Sequence, residues 1–598
     1  MSAHDKSTLF HKNLEWMRPH NPSLAERMKR WTGSPDVALS LSKTEKTVPV
    51  VRQISLHSRY DPEKEARQWF QNNTVDAASF IVFGLGFGYH LDVLLEHTTS
   101  SISVIEPSLD LFCHWASEVE LSRYADRVHF IVGETAAKAV SLLQDTRQPV
   151  LSHPPSIRLH EAYFKAVEAG MEFDRLTAEH PLRVLVIPPI YGGSLPTARY
   201  CFDALEALGH RAYWADCDKM AQAFHAIKGF SANREHSEIL SRKFLEFISE
   251  AVVARAAEVR PDLILALAQA PLDRETVKRL KALEVPIAFW FPEDFRTLTY
   301  WQEMASAYDY FFAFQRGEFP QRLKEAGNVG YYYLPQACHP AVHKKSGPAA
   351  GLEKFSAELS FMGAPYYNRT QSFVRLLDLP FKIWGEGWDP EGVYGASLQG
   401  NGKRVSTEEA VQIFNASRIN INLHSSTFHE GVNPNGDFVN PRTFEIAACE
   451  GFQLVDCREE LPFLFDIENE LPVYSSISEL RELILHFQGN PEERRRYAAA
   501  ARRRVLAEHT FEHRMRELLT HIFIDHLDRF KSTLADRETE WNDLVLNSAA
   551  GTSLESYLKP FKDCESFSLK TLKEAIEKGE GELSDPELLI LMVDQVVE

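Results

Sequence analysis

The sequence is poor in cysteine, with seven among 598 residues and none in a Cys-x-x-Cys pair. An odd, scattered set does not read as a disulfide framework, so a reduced, cytoplasmic setting is expected. Long hydrophobic runs are also missing. The longest uncharged apolar stretch, Ala77–Leu91, is broken by three glycines and a histidine. It falls short of the roughly 18–20 residues a bilayer span requires, so no integral membrane segment is expected. The first residues, MSAHDKSTLF, hold no apolar signal core. Basic charge is in deficit: 65 Lys and Arg stand against 84 Asp and Glu, a net charge of −19. That balance excludes a general nucleic-acid binder, whose phosphate neutralisation needs a basic face. Only 29 Gly and 31 Pro occur, which excludes a collagen-like or low-complexity chain.

What is present is ordinary globular material, 44% hydrophobic and 25% charged. The length suggests about three to five domains. One pattern occurs three times: a β-rich apolar run, then glycines, then a helix-like segment. The copies are SFIVFGLGFGYHLDVLLEH from Ser79, LRVLVIPPIYGGSLPTARYCFDALEALGH from Leu182, and ELSFMGAPYYNRTQSFVRLLD from Glu358. Each reads as the first strand and turn of a doubly wound α/β unit. Further strands follow. SISVIEP comes after the first opening; HRAYWAD, PDLILALAQA, IAFWF and YDYFFAF after the second; FKIWGEGW, ININ, FQLVDC and LPVYSS after the third. Strands alternating with helices at this pitch predict parallel sheets.

The expected fold is therefore α/β, with three Rossmann-like units and a small helical tail. The expected domains are residues 1–180, 181–342, 343–529 and 530–598. HKKSGPAAGLEK, from His343, reads as a linker. Residues 531–598 hold 7 Lys and Arg against 15 Asp and Glu, so the short tail carries much of the acidity. Its apolar spacing is helical, and Asp585-Pro586 reads as a helix start.

From Asn435 the chain reads NGDFVNPRTFEIAACEGFQLVDCREELPFLF. It continues through VYSSISELRELILHF, an NPEER turn and a basic helix ending in His509-Thr510-Phe511 with Arg514. In this order, over about 90 residues, the features resemble the C-terminal half of the CgeB-like (spore-maturation-protein-like) glycosyltransferases, related to the family-4 retaining group. FMGAPYYNR and KIWGEGW resemble the same family's donor domain. The resemblance implies that the last two Rossmann-like units form a GT-B fold using a nucleotide-sugar donor of UDP or GDP type, with no tightly bound cofactor.

A nucleotide sugar needs cations or backbone N–H groups on its diphosphate and acids on its hydroxyls. Asp437 and Glu445 stand as Asp-x7-Glu where the resembling enzymes carry Glu-x7-Glu. By that match Glu445 holds the ribose and Asp437 approaches the sugar, with Asn435 or Asn440 as substitutes because Asp is shorter. The plainer readings are a helix-start acid for Glu445 and a turn residue for Asp437. Arg442 and Arg369 are the diphosphate candidates. Gly363 opens the turn before Arg369, Gly385 and Gly387 permit close approach to the base, and His424 follows the INLH strand.

On the acceptor side, Gly192 and Gly193 follow the first strand of the middle unit. Glu293 and Asp294 follow IAFWF, where either acid can orient or deprotonate an acceptor hydroxyl. The retaining resemblance makes a protein base dispensable, since the leaving phosphate can take the proton. No paired Asp-x-Asp is seen near a donor strand, and no metal is expected.

The first unit carries Gly84, Gly86 and Gly88 as Gly-x-Gly-x-Gly, with Glu106 ending the next strand. An acid there can bind a ribose, which suits a nucleotide or S-adenosylmethionine site. A tight turn in a recognition domain is the alternative. FHKNLEWMRPHNP, LHSRYDPEKEARQWF and VIEP resemble the N-terminal part of the Maf-like flagellin glycosylation proteins over roughly residues 10–110. The reading is thus a sugar transferase acting on a protein, such as flagellin, or on a surface glycan. A bifunctional methyltransferase and a non-catalytic scaffold are the alternatives.

Overall fold

The computed structural model describes residues 3–73, 76–328, 330–346, 352–541, 549–563, 569–579 and 581–597. Part of the expected linker (347–351) and Cys564 lie outside the described residues. The chain forms two compact units from interleaved segments. One holds Met1–Arg175, Phe291–Ala305 and Phe311–Ile524; the other holds Leu176–Trp290, Ser306–Tyr310 and Asp525–Glu598.

In the first unit a small antiparallel meander of β1 (Val37–Leu41), β2 (Thr47–Val51) and β3 (Ile54–Ser55) precedes a parallel sheet. That sheet is built from β4 (Ser79–Phe83), β5 (Ser101–Glu106), β6 (Val128–Val132) and β7 (Val150–Ser152), in the order β6-β5-β4-β7. Successive side chains on a strand face opposite sides, so a sheet covered on both faces needs an unbroken apolar run. SFIVF supplies one: Phe80 and Val82 enter one core, and Ile81 and Phe83 the other.

The second unit carries β8 (Arg183–Ile187), β9 (Arg211–Trp214), β10 (Leu263–Leu267) and β11 (Ile287–Phe291), parallel and in the order β9-β8-β10-β11. β10 and β11 are buried along their whole length. Helix Arg234–Val259 precedes β10 and starts on Asn233, whose side chain accepts the His236 N–H. The tail is helical, as expected. Ser553–Leu558, Leu569–Lys578 and Asp585–Val597 gather around Leu558, Leu572, Ile576 and Ile590.

In the first unit, residues Phe311–Ala313 of β12 (Tyr310–Ala313) pair in parallel with β13 (Tyr331–Tyr333). A second parallel sheet follows, from β14 (Ala357–Met362), β15 (Phe381–Trp384), β16 (Ser417–Asn422), β17 (Gln453–Asp456) and β18 (Val473–Tyr474). Its order is β15-β14-β16-β17-β18. The architecture is α/β with several parallel sheets. No helix among the described residues is long and apolar enough to cross a membrane.

Candidate functional site

The carboxyl ends of β14, β15 and β16 bring three expected residues together. Gly363 follows β14 and Gly385 follows β15. Gly385 has φ +141°, and a Cβ there would lie 2.3 Å from the Gly363 carbonyl oxygen. The glycine expected to let a base approach is thus already pressed against a neighbouring backbone. Arg369 sits on the short helix Tyr367–Ser372 and is buried. Its guanidinium donates to the Leu423 carbonyl at 3.1 and 2.9 Å and to the Ala364 carbonyl at 3.0 Å. Burial pulls its pKa down to about 10. Arg369 therefore ties the loop after β14 to the end of β16.

His424, just past β16, is fully buried. Its Nδ1 donates to Asp456 at 2.5 Å, and its Nε2 accepts the Asn440 N–H at 2.9 Å. Those partners fix the tautomer. Burial lowers the imidazole pKa to about 4, so the ring is neutral. Burial alone would raise the Asp456 carboxyl, but Arg458 and His424 outweigh it and hold the group well below the usual range. His424 thus positions the start of the next helix, and both its nitrogens are engaged.

That helix, Pro441–Ala448, is capped by Asn440, whose side-chain oxygen accepts the Thr443 N–H at 3.1 Å. Arg442 and Glu445 lie one turn apart and pair directly. Glu445 is buried, with His343 Nε2 3.8 Å from its carboxylate. Burial pushes the Glu445 carboxyl up, but Arg442 and His343 overcome it and hold the group below its ordinary value. An ionised carboxylate thus stands in the first turns of a helix beside a half-exposed guanidinium. A small cavity of about 20 Å³ is lined by Ser360, Arg369, Asn422, Asn440 and Arg442, among others. The expected diphosphate candidates therefore share one cavity wall.

The loop before the helix places Asp437 in a different network. Its carboxylate accepts two bonds from Arg296, at 3.2 and 3.0 Å, and one from Gln315 at 3.0 Å. Gln315 is fully buried and also donates to Asp294 at 3.2 Å. Two acids from opposite ends of the expected site, Asp437 and Asp294, therefore share one amide. Glu293 is half-buried beside them in sequence. Asn435 is exposed, its N–H on the Asn433 side chain at 3.0 Å. Gly436 is required: a Cβ there would lie 1.9 Å from the buried Arg458 guanidinium. In the second unit, Gly192 has φ +116° and Gly193 starts helix Ser194–Ala207.

The N-terminal glycine turn is filled by side chains. Gly84, Gly86 and Gly88 have φ of +90°, +55° and +78°. A Cβ at each would lie 2.2 Å from Ser156, 2.6 Å from His57 and 2.5 Å from Trp115. Glu106 is buried and accepts the Leu85 and Ser108 N–H groups at 2.8 and 2.9 Å. Burial raises its pKa to about 7. The acid expected on a ribose is thus committed to the turn itself.

Arg296, Gln315, His343, Asp456 and Arg458 were not among the expected site residues. Asp456 closes the strand FQLVDC, and Arg296 stands two residues after Asp294; both were legible positions. Gln315 and His343 carry no sequence signal, since only the fold brings them to Asp437 and Glu445.

Residues 369–520 match the family described as glycosyl transferase-like. Residues 34–150 match the glycosyltransferase Maf N-terminal domain. Spore protein CgeB of Bacillus subtilis (strain 168) is 26% identical over 264 residues, covering 42% of this chain and 80% of that protein. Sucrose-phosphate synthase of Thermosynechococcus elongatus is 12% identical with a TM-score of 0.39, over 59% of this chain and 99% of that one. Anabaena HepE, in complex with UDP and glucose, is 11% identical with a TM-score of 0.38, over 59% of this chain and 100% of that one. Both resemblances read from the sequence are borne out. With a glycosyl transferase-like domain matched over residues 369–520 and a Maf N-terminal domain over residues 34–150, the chain is similar to the CgeB-like glycosyltransferases.

Proposed function

We propose that the chain moves a sugar from a UDP- or GDP-activated donor to a hydroxyl of a protein, such as flagellin, or of a surface glycan. Residues 181–342 and 343–529 serve as the acceptor and donor halves of a GT-B enzyme. Glu445 takes the ribose hydroxyls, Arg442 the diphosphate, and Asp437 the sugar. Arg369 acts from behind, holding the loop that shapes the phosphate wall. Asp294, through Gln315, sets the orientation of Asp437. The reaction retains configuration, as in the enzymes it resembles, so the leaving phosphate can take the acceptor proton and no protein base is needed; it uses no metal, the helix N-terminus and Arg442 balancing the diphosphate charge.

The observation that carries this reading is Glu445. A buried carboxylate is costly unless paired, and here the direct pair with Arg442 keeps it ionised at the carboxyl edge of a parallel sheet. α/β sheets place their ligands at that edge. Calorimetric titration of the full chain with UDP-glucose, UDP-N-acetylglucosamine and GDP-mannose tests it. Binding of at least one donor, with slow hydrolysis in the absence of acceptor, is expected. No heat and no hydrolysis with any of them overturns the reading.

A further inference from the structure

The second unit holds a crevice that the donor chemistry does not use. Its strand order, β9-β8-β10-β11, reverses direction between β8 and β10. Open α/β sheets bind ligands outside the carboxyl ends of their strands at such a switch point. A cavity of about 340 Å³ opens there. Ile190 and Tyr191, from the loop after β8, form one wall, and the segment from Gln269 to Asp273, after β10, forms another. Phe224 and Leu245 close it from the two helices between β9 and β10.

Two details mark it as a built site. Gln269 adopts φ +66°, a conformation a non-glycine side chain rarely takes, and it faces this cavity. Strain of this kind is retained where the surroundings impose it, and it clusters at ligand sites. The second detail is charge. Arg242 stands 3.9 Å from Glu246, and Asp273 is spent capping helix Arg274–Lys281 through the Thr276 N–H at 2.7 Å. Lys228 has no carboxylate partner among the described residues. Its ammonium lies 4.5 Å from the Phe224 ring centre and 3.0 Å from the Tyr191 hydroxyl. An apolar chamber with aromatic walls thus has at its rim an ammonium that no carboxylate meets among the described residues. Exposed Tyr191 keeps the mouth open to solvent.

The geometry points to a binding site for a small anion with an apolar or ring-shaped body, its negative group on Lys228 and its body between Tyr191, Phe224 and Leu245. Aromatic faces hold such a body, and the ammonium supplies a charge-assisted contact.

Phenyl phosphate is a suitable probe, titrated into the full chain and followed by calorimetry. Inorganic phosphate and phenol serve as the bodyless and uncharged controls. Binding of phenyl phosphate at least tenfold tighter than either control is expected. Lys228→Glu, at an exposed position, should weaken it at least tenfold, and Tyr191→Leu should weaken it several-fold. Both variants should bind a nucleotide-sugar donor as the parent does, so failure of the donor reading is seen separately. Three results overturn the proposal: phenyl phosphate no tighter than phosphate, binding unchanged by Lys228→Glu, or displacement of phenyl phosphate by UDP.

Discussion

Asp437 accepts both terminal nitrogens of Arg296, at 3.2 and 3.0 Å, in a two-pronged pair. The arginine also reaches Glu318 at 3.3 Å, so its fork is held from a second side. A two-pronged guanidinium–carboxylate pair fixes direction as well as distance. If Asp437 acts on the donor sugar, its aim depends on Arg296. Arg296→Ala should lower turnover about tenfold or more, the range expected for a lost bond to a charged group. Arg296→Lys should fall between, since lysine keeps the charge without the fork. Donor affinity should change less than threefold in both. Steady-state transfer or donor hydrolysis, beside calorimetry, checks this. Equal losses in affinity and turnover would remove the positioning role.

Glu445 gives a complementary signature. Its carboxylate pairs with Arg442 and stands below its ordinary pKa, so it stays ionised into mildly acidic solution. Glu445→Ala should weaken donor binding by about 10- to 100-fold, and Glu445→Gln by less, because an amide still accepts a hydroxyl proton. Donor affinity of the parent should hold as pH falls from 7 to 5. Unchanged affinity in Glu445→Ala would take this residue out of the site.

The sequence made the parallel sheets legible because doubly covered strands leave continuous apolar runs; IAFWF and LILAL are buried throughout. It did not reveal the meander β1–β3, which is short and largely exposed on its first strand. Nor did it reveal β6, which lies between weak turn signals. The site divides in the same way. Arg442 and Glu445 are one helical turn apart, so their partnership is written in local spacing. The Asp437–Arg296 pair spans 141 positions, and no local pattern encodes it. The glycines misled in a specific sense. Gly84, Gly86 and Gly88 mark close approach correctly, but what approaches is Ser156, His57 and Trp115. A sequence shows that a glycine is needed and not what it makes room for.

The same turn predicts an acid sensitivity. His57, His90 and His153 are buried against it, and burial lowers the pKa of all three, that of His90 to about 3. Glu65, 3.5 Å from His57, opposes the shift at that residue. In the unfolded chain each titrates near 6.5. The unfolded state therefore binds more protons below that pH, and stability is full above it and lost as pH falls. For a histidine that stays neutral when folded, the loss between pH 7 and 5 is about 2 kcal/mol. His90 Nε2 donates to the Gly84 carbonyl at 3.0 Å, a bond that His90→Gln can replace without titrating. Denaturant unfolding followed by tryptophan fluorescence should show a flatter pH dependence in His90→Gln. Parallel curves for parent and variant would assign the acid loss elsewhere.

The contact between Gly385 and Gly363 sets a last test, because it separates backbone crowding from side-chain chemistry. The Gly363 carbonyl already accepts the Trp388 indole N–H at 2.8 Å. A methyl group on Gly385 would sit 2.3 Å from that oxygen, at a φ of +141° that L side chains rarely adopt. Relief requires moving the Gly363 carbonyl, which breaks the indole bond and shifts the loop that Arg369 holds through Ala364. Gly385→Ala should therefore destabilise the chain by more than about 1 kcal/mol, opposite in sign to the entropy gain of a Gly-to-Ala change at a compatible position. It should also weaken donor binding, although neither glycine offers a side chain to the ligand. Gly489 supplies the control. It is exposed at the end of helix Ile477–Gly489, and a Cβ there meets nothing within 4 Å. Gly489→Ala should be neutral or stabilise by up to about 1 kcal/mol. If the two variants have equal melting midpoints and equal donor affinities, the crowding at Gly363 does not shape the phosphate wall.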